Sequence, residues 1–396
     1  VKRTTKVRRT IGAVVLAVLA TAAACAPAPG GSTPTTVLEP VPPQVDSFGV
    51  ITPRTEAPVT ATFRWAVSDG NGDVLRCTFD LDGDGAVDRT VDPCPSRGDL
   101  LVQYRTPGTV TPTLTVSDGV HTSPTTPTRD VLVTPGPTEA FDITLVFDPA
   151  MAPEHRAAFE AAAQRWQEVI VDGWDPEPLS VPLGLFGWVP PFDGLVDDVM
   201  IAARASYIDG VGGRLGQAGA LGLRSSNGAP YFGVMEFDSA DLDRMIEIGR
   251  LDDLILHEMG HVLGIGFNWV GEGRVDDLLV DPTYNGPAAN AAWHELGGTG
   301  QVPLEDGGGV GTFAAHWRES VFDAELMTGY SDDDERMSRV TIAALADRGF
   351  GVDLDRADQY ELPTSRVGGA GALRAAREPH QHTEPLEPLP EALLTA

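Results

Sequence analysis

The sequence predicts an α+β body preceded by a small all-β, Ig-like sandwich. Three observations carry this expectation. Residues 48–135 run in short alternating apolar segments broken by turn signals, residues 139–352 mix helical and strand-like patterns, and the one strongly apolar stretch lies at the N-terminus. With 396 residues and 42% hydrophobic content, the chain is long enough for two domains plus tails. Its formal net charge of −29 would repel phosphate backbones and anionic membranes, which argues against nucleic acid as a partner and says nothing about fold.

The chain opens on the basic run VKRTTKVRRT, continues into the apolar IGAVVLAVLA, too short to cross a bilayer comfortably, and then into TAAAC. That order reads as an export signal over residues 1–25 and is set aside from fold reasoning. Ala22-Ala23-Ala24-Cys25 resembles the lipobox of bacterial lipoproteins, which would make Cys25 a lipidated N-terminus and anchor the protein at the cell surface. A lipobox usually carries Leu where this chain has Ala22, so ordinary cleavage after Ala24 or Ala26, giving a secreted protein, is the alternative. Residues 26–47, rich in Pro and Thr, read as an extended tether. With Cys25 spent on lipid, Cys77 and Cys94 remain, and an exported chain with that even remainder suggests one disulfide between them.

Residues 59–65 and 110–116 alternate as half-buried strands do, and Ser-Asp-Gly and Pro-Gly turns separate such segments, the pattern of an antiparallel sandwich. Residues 104–119, YRTPGTVTPTLTVSDG, resemble the end of a PKD-type Ig-like domain. Within the same region FDLDGDGAVD, residues 79–88, repeats acidic oxygens at alternate positions around glycine. Asp80, Asp82, Asp84, the Ala86 carbonyl and Asp88 are therefore candidate calcium ligands. The position where an EF-hand places its bidentate Glu holds Val91, so the set is incomplete, and a solvated acidic turn is the plain alternative.

The body begins with a strand-like run at 141–147 and a helical one at 153–170, whose Phe159, Ala163, Trp166 and Ile170 fall on one face. Strands are expected at 198–203 and 231–237, the latter as an edge strand for an extended substrate or as a core strand. Helices are expected at 250–263 and at 338–349, the second capped by Ser338, burying Val340, Ile342 and Leu345, and stopping at Gly349. Residues 353–396 have no sustained period and read as a disordered tail, in which His380 and His382 find no third ordered ligand.

The chemistry sits in LILHEMGHVLG, residues 254–264. Residues four apart lie one helical turn above each other, so His257 and His261 can reach one tetrahedral zinc while Glu258 serves as the base for its water. A third protein ligand is still required. The compact spacing of three residues after Gly264 reaches Phe267 and fails, whereas a thermolysin-like arrangement would draw on Glu295 or Glu305, and His294 and His316 are further candidates.

Residues 315–330, AHWRESVFDAELMTGY, decide among these. HExxHxxGxG, a long insertion, and a histidine followed about ten residues later by ELMTG together resemble leishmanolysin-type peptidases, which are metzincins whose third histidine is displaced by an insertion. The likeness covers residues 139–352, about half the chain, and the insertion lacks cysteine, as in simpler bacterial relatives. It implies the metzincin fold with a cleft across zinc, His257, His261 and His316 as ligands, Glu258 as base, and Met327 in the Met-turn packing beneath the metal without binding it. His294 remains the competitor for third ligand. The implied function is a zinc-dependent endopeptidase acting on extracellular proteins or peptides. The alternative is a surface-anchored binding protein with an inactive peptidase-like domain, against which the intact Glu258 speaks.

Overall fold

The structure, a computed structural model, describes residues 41–363 except 137–139, 183–186, 213–214, 267, 310 and 333. The export segment with Cys25, most of the expected tether, and His380 and His382 lie outside the described residues.

The first strands are β1 (Gln44–Ile51), β2 (Val59–Ser68), β3 (Arg76–Asp80), β4 (Arg89–Val91), β5 (Arg97–Tyr104), β6 (Gly108–Val110), β7 (Thr113–Ser117), β8 (Thr122–Thr125) and β9 (Val131–Val133). They form an antiparallel sheet of order β1-β2-β5, a second of order β4-β3-β7-β8, and a β6-β9 ladder. Alternation decides which side chains go inward. Phe63, Trp65 and Val67 of β2 are buried while Arg64 and Ser68 face water, and they meet Phe79, Leu114 and Val116 of the second sheet in one shared core. Trp65 and Phe79 pack with ring centroids 5.1 Å apart. Cys77 and Cys94, 17 residues apart, are joined by a disulfide, and closing a loop of that size stabilises the fold by about 3 kcal/mol. β1 begins earlier than the composition suggested. Residues 44–47, expected in the tether, belong to this strand because Gln44 and Val45 pair with Ser68 and Val67.

The remaining elements are β10 (Ile143–Phe147), α1 (Pro153–Val169), β11 (Glu177–Val181), β12 (Phe192–Val196), β13 (Val199–Ser206), β14 (Gly216–Leu223), β15 (Pro230–Asp238), α2 (Ser239–Ile248), α3 (Leu251–Val262), β16 (Val275–Asp276), β17 (Thr283–Tyr284), α4 (Pro287–Glu295), β18 (Val302–Pro303), α5 (Glu319–Phe322) and α6 (Arg339–Asp347). The main sheet has order β10-β13-β15-β14, parallel except for β14, which pairs antiparallel at one edge. Residues 231–237 therefore lie in an inner strand, and the edge-strand alternative is corrected. The true edge, GQAGALGL, was hidden because its glycines and alanines carry little β propensity. Val199, Ile201, Met235 and Phe237 point to the face covered by α1 and α3, while Met200, Ala202, Phe232 and Val234 point to the β11–β12 hairpin. The Trp166 indole on α1 donates to the Leu256 carbonyl on α3 at 3.0 Å, tying the two helices together.

The N-terminal sheets pack against the body rather than hang from it, and the described residues fall within one unit. Leu101 of β5 joins the hydrophobic core of the body. Arg54 pairs with buried Asp172, Gln103 donates to the Val352 carbonyl, and Asp99 accepts from His294 at 2.6 Å. Residues just after 353, where a disordered tail was expected to start, make tertiary contacts. Leu354 is buried, Asp358 accepts from the Met337 amide at 2.9 Å, and the Tyr360 hydroxyl reaches the Phe322 carbonyl. These anchors are single residues without a period, which is why composition alone missed them. Among the described residues, no helix is long and apolar enough to cross a membrane.

Candidate metal centre

Helix α3 is buried along its length because Leu251, Leu254, Ile255, Met259 and Val262 insert between α1 and the sheet. It carries His257, Glu258 and His261 inward with them, and all three side chains are almost fully buried. Gly260, inside the motif, has a packing role. A Cβ there would lie 2.9 Å from the Met327 sulfur and 3.1 Å from Trp166, so the missing side chain is what lets Met327 seat against the helix.

The described residues between His261 and His316 are folded. Strands β16, β17 and β18 form a small sheet, and Trp269, Tyr284 and Trp317 pack in a buried cluster of tilted and edge-on rings with centroids 4.6 to 5.7 Å apart. Trp317 follows His316 directly, so this cluster anchors the segment that delivers the third imidazole. Backbone bonds finish the placement. The Glu305 amide donates to the His316 carbonyl, and the Trp317 amide to the Met327 carbonyl, each at 2.9 Å. Gly266 makes room for the approach, since its φ is +73° and a Cβ would stand 2.0 Å from the Ala315 carbonyl oxygen.

The three imidazoles converge. His257 Nε2 lies 3.1 Å from His261 Nε2 and 3.2 Å from His316 Nε2, and the latter two are 3.0 Å apart. The opposite nitrogen of each ring faces a backbone carbonyl: His257 Nδ1 reaches Leu326 O at 2.6 Å, His261 Nδ1 reaches Ile265 O at 2.8 Å, and His316 Nδ1 reaches Thr312 O at 3.1 Å. A carbonyl can only accept, so each Nδ1 carries a hydrogen and each ring turns its Nε2, the lone-pair nitrogen of a neutral imidazole, toward the other two. Three lone pairs facing one another repel unless a cation lies among them. A tetrahedral zinc bound at about 2.0–2.1 Å holds its ligand atoms about 3.3–3.4 Å apart, close to this spacing. His257, His261 and His316 can thus bind a metal. Burial lowers the His261 pKa to about 4, keeping the ring in the neutral form a metal needs, and burial raises that of the Glu258 carboxyl to about 8.

The other candidates are elsewhere. His294 on α4 has Nδ1 2.6 Å from Asp99 Oδ1 and Nε2 2.7 Å from the Gly300 carbonyl. Both nitrogens face acceptors, so the ring is satisfied as an imidazolium and has no lone pair for a metal. The Asp99 hydrogen bond raises its pKa accordingly. Glu295 pairs with Arg339 at 3.5 Å, and Glu305 accepts from the amides of Gly307 and Glu319 at 3.1 and 3.0 Å. In the sandwich, Asp80, Asp82 and Asp88 are near one another, while Asp84 accepts from the Ala86 amide at 2.7 Å. The three carbonyls that orient the imidazoles were not foreseen. Only the GxG after the motif hinted that the chain doubles back there.

Comparison with known proteins bears on the half of the body that holds this centre. Residues 222–360 match the Leishmanolysin peptidase family. Over 86 residues the chain is 34% identical to a leishmanolysin-like peptidase of Caenorhabditis elegans, spanning 21% of this chain and 12% of that protein. Over 121 residues it is 31% identical to a leishmanolysin-like peptidase of Drosophila melanogaster, spanning 28% of this chain and 16% of that one. The stretch that carries the histidine cluster is therefore similar to a family of zinc-dependent metallopeptidases.

Proposed function

We propose that the chain is an exported zinc endopeptidase that hydrolyses peptide bonds of proteins outside the cell, with His257, His261 and His316 as zinc ligands and Glu258 as general base. The observation that carries the proposal is the set of three Nε2 lone pairs turned toward one point, each ring held from behind by a carbonyl. When bound, zinc acidifies a water and polarises the scissile carbonyl. The rest of the chemistry belongs to the chain. Glu258, next to the first ligand and buried with it, takes the proton of the attacking water and passes it to the leaving amine. Its carboxyl holds protons readily in that apolar setting, as a group that must receive a proton and pass it on requires. Strand β14 packs by α3 and stands last in the strand order, where an extended peptide would lie alongside the sheet. Met327 supports the ligands through packing alone.

Export is supported by the Cys77–Cys94 disulfide, which persists in oxidising compartments. By this reading the N-terminal segment is the export signal, Cys25 a candidate lipid anchor, and the sandwich a PKD-like module.

The test uses a denatured, unstructured protein as substrate. The purified chain should cleave it, a chelator should stop cleavage, and zinc should restore it. Glu258→Gln should retain zinc and lose cleavage. Equal cleavage by Glu258→Gln would remove the assigned base, whereas zinc binding without cleavage in the parent would favour a binding protein with an inactive peptidase-like domain.

A further inference from the structure

Glu325 opens the ELMTG segment and is fully buried. Four donors converge on it. Oε1 accepts from the Ser338 amide at 3.1 Å, the Ser338 hydroxyl at 2.7 Å and the Thr341 hydroxyl at 2.5 Å, and Oε2 accepts from the Met327 amide at 2.7 Å. The last of these matters most. The Met327 N–H and the Leu326 C=O belong to a single planar peptide unit, and that carbonyl is the one that holds His257 Nδ1 at 2.6 Å. Glu325 thus grips one side of a rigid plate whose other side orients a metal-binding imidazole. The same carboxylate reaches toward the second ligand segment, because Thr341 Oγ1, which donates to Glu325, accepts from the indole of Trp317 at 2.8 Å, adjacent to His316.

We infer that Glu325 is a positioning residue for the metal centre, acting through the Leu326–Met327 peptide on His257; this rests on reading the three histidines as zinc ligands. The arrangement is a carboxylate–peptide–histidine chain, in which the negative end polarises the peptide, strengthens its carbonyl as an acceptor and makes the imidazole a better donor to the ion. A buried carboxylate costs a great deal to desolvate unless its hydrogen bonds are complete. An apolar residue would fill the space more cheaply, but it could not hold the peptide.

The experiment measures zinc affinity of the full chain by competition with a chelating dye, the visible spectrum of the cobalt-substituted protein, and the melting temperature of the metal-free form. Glu325→Gln should weaken zinc binding about 10- to 100-fold, the range for partners that orient metal ligands, and shift the cobalt bands. Glu325→Asp, too short to reach the Met327 amide and α6 together, should do the same to a smaller extent and is read alone if the Gln variant does not fold. Val340→Ala, which loosens the packing of α6 without touching the network, should lower the melting temperature and leave zinc affinity within about twofold of the parent. Unchanged affinity in the Glu325 variants, or an equal loss in Val340→Ala at equal melting temperature, would overturn the positioning role alone. A parent that binds zinc no better than His316→Ala would overturn the metal centre and this inference with it.

Discussion

The histidine cluster and the aspartate turn of residues 80–88 both present metal-ligating side chains at short range, yet they are built on opposite plans. In the turn the loop supplies its own donors. Asp80 accepts from the amides of Gly83 and Gly85 at 2.8 and 2.9 Å, Asp82 from Asp84 at 3.1 Å, and Asp88 from Leu81 at 2.6 Å. Backbone hydrogens already stabilise the carboxylates, and the turn holds its shape unaided. In the cluster each imidazole turns its Nδ1 to a carbonyl behind it, and the three Nε2 atoms face one another. A group of ligand-type residues reads as a binding site when separate elements carry the same kind of donor atom to one buried point, whatever motif the residues spell.

The largest test of that contrast is catalytic. Glu258→Gln should lower cleavage about 10²- to 10⁴-fold, the contribution of a positioned base, at unchanged zinc content. A fall in zinc content of the same size would recast Glu258 as a ligand. Next comes the third imidazole. His316→Ala should release zinc and make melting insensitive to chelators, whereas His294→Ala should retain zinc; the reverse pattern would exchange their roles. The apo protein offers a third measure. His261 has a native pKa near 4 against an unfolded value of 6.5, so between those limits the unfolded chain binds more protons, and metal-free stability should fall as pH drops through that window. His294 has the opposite sign. Its pKa is raised by Asp99, so its contribution to the seam is present at pH below 6.5 and lost as pH rises through the raised value. Asp99→Asn should abolish that alkaline loss in a melting series. The smallest expected effect is in the turn, where added calcium should leave the melting temperature of the metal-loaded chain nearly unchanged. A rise of several degrees would show that the aspartates form a site after all.

Elements with a strong local period were legible and those stabilised from a distance were not. Helix α1 was expected at 153–170 and runs from Pro153 to Val169, because its apolar face repeats every three to four residues and Pro153 starts it. Helix α6 was expected with its Ser338 cap, and the Ser338 side chain does accept from the amides of Val340 and Thr341. Helix α4 escaped notice, since AANAA has no apolar stripe to read. Its partners are Asp347, which accepts from the amides of Ala288 and Ala289, and β5 across the seam. For the site, HExxH could be read directly, but its third histidine was reached through likeness to a family rather than through any rule of spacing.

Local pattern suffices for the helix that sets two imidazoles one turn apart, because hydrogen bonds four residues apart impose that geometry on a chain of this kind. Which of two distant histidines comes near them depends on long-range packing, and it is His316 whose Nε2 lies 3.0 Å from that of His261. His294 and His316 have the same chemistry, and they differ only in what surrounds them: one ring lies between a carboxylate and a carbonyl, and the other is carried by an aromatic cluster and a planar peptide to the point where lone pairs meet.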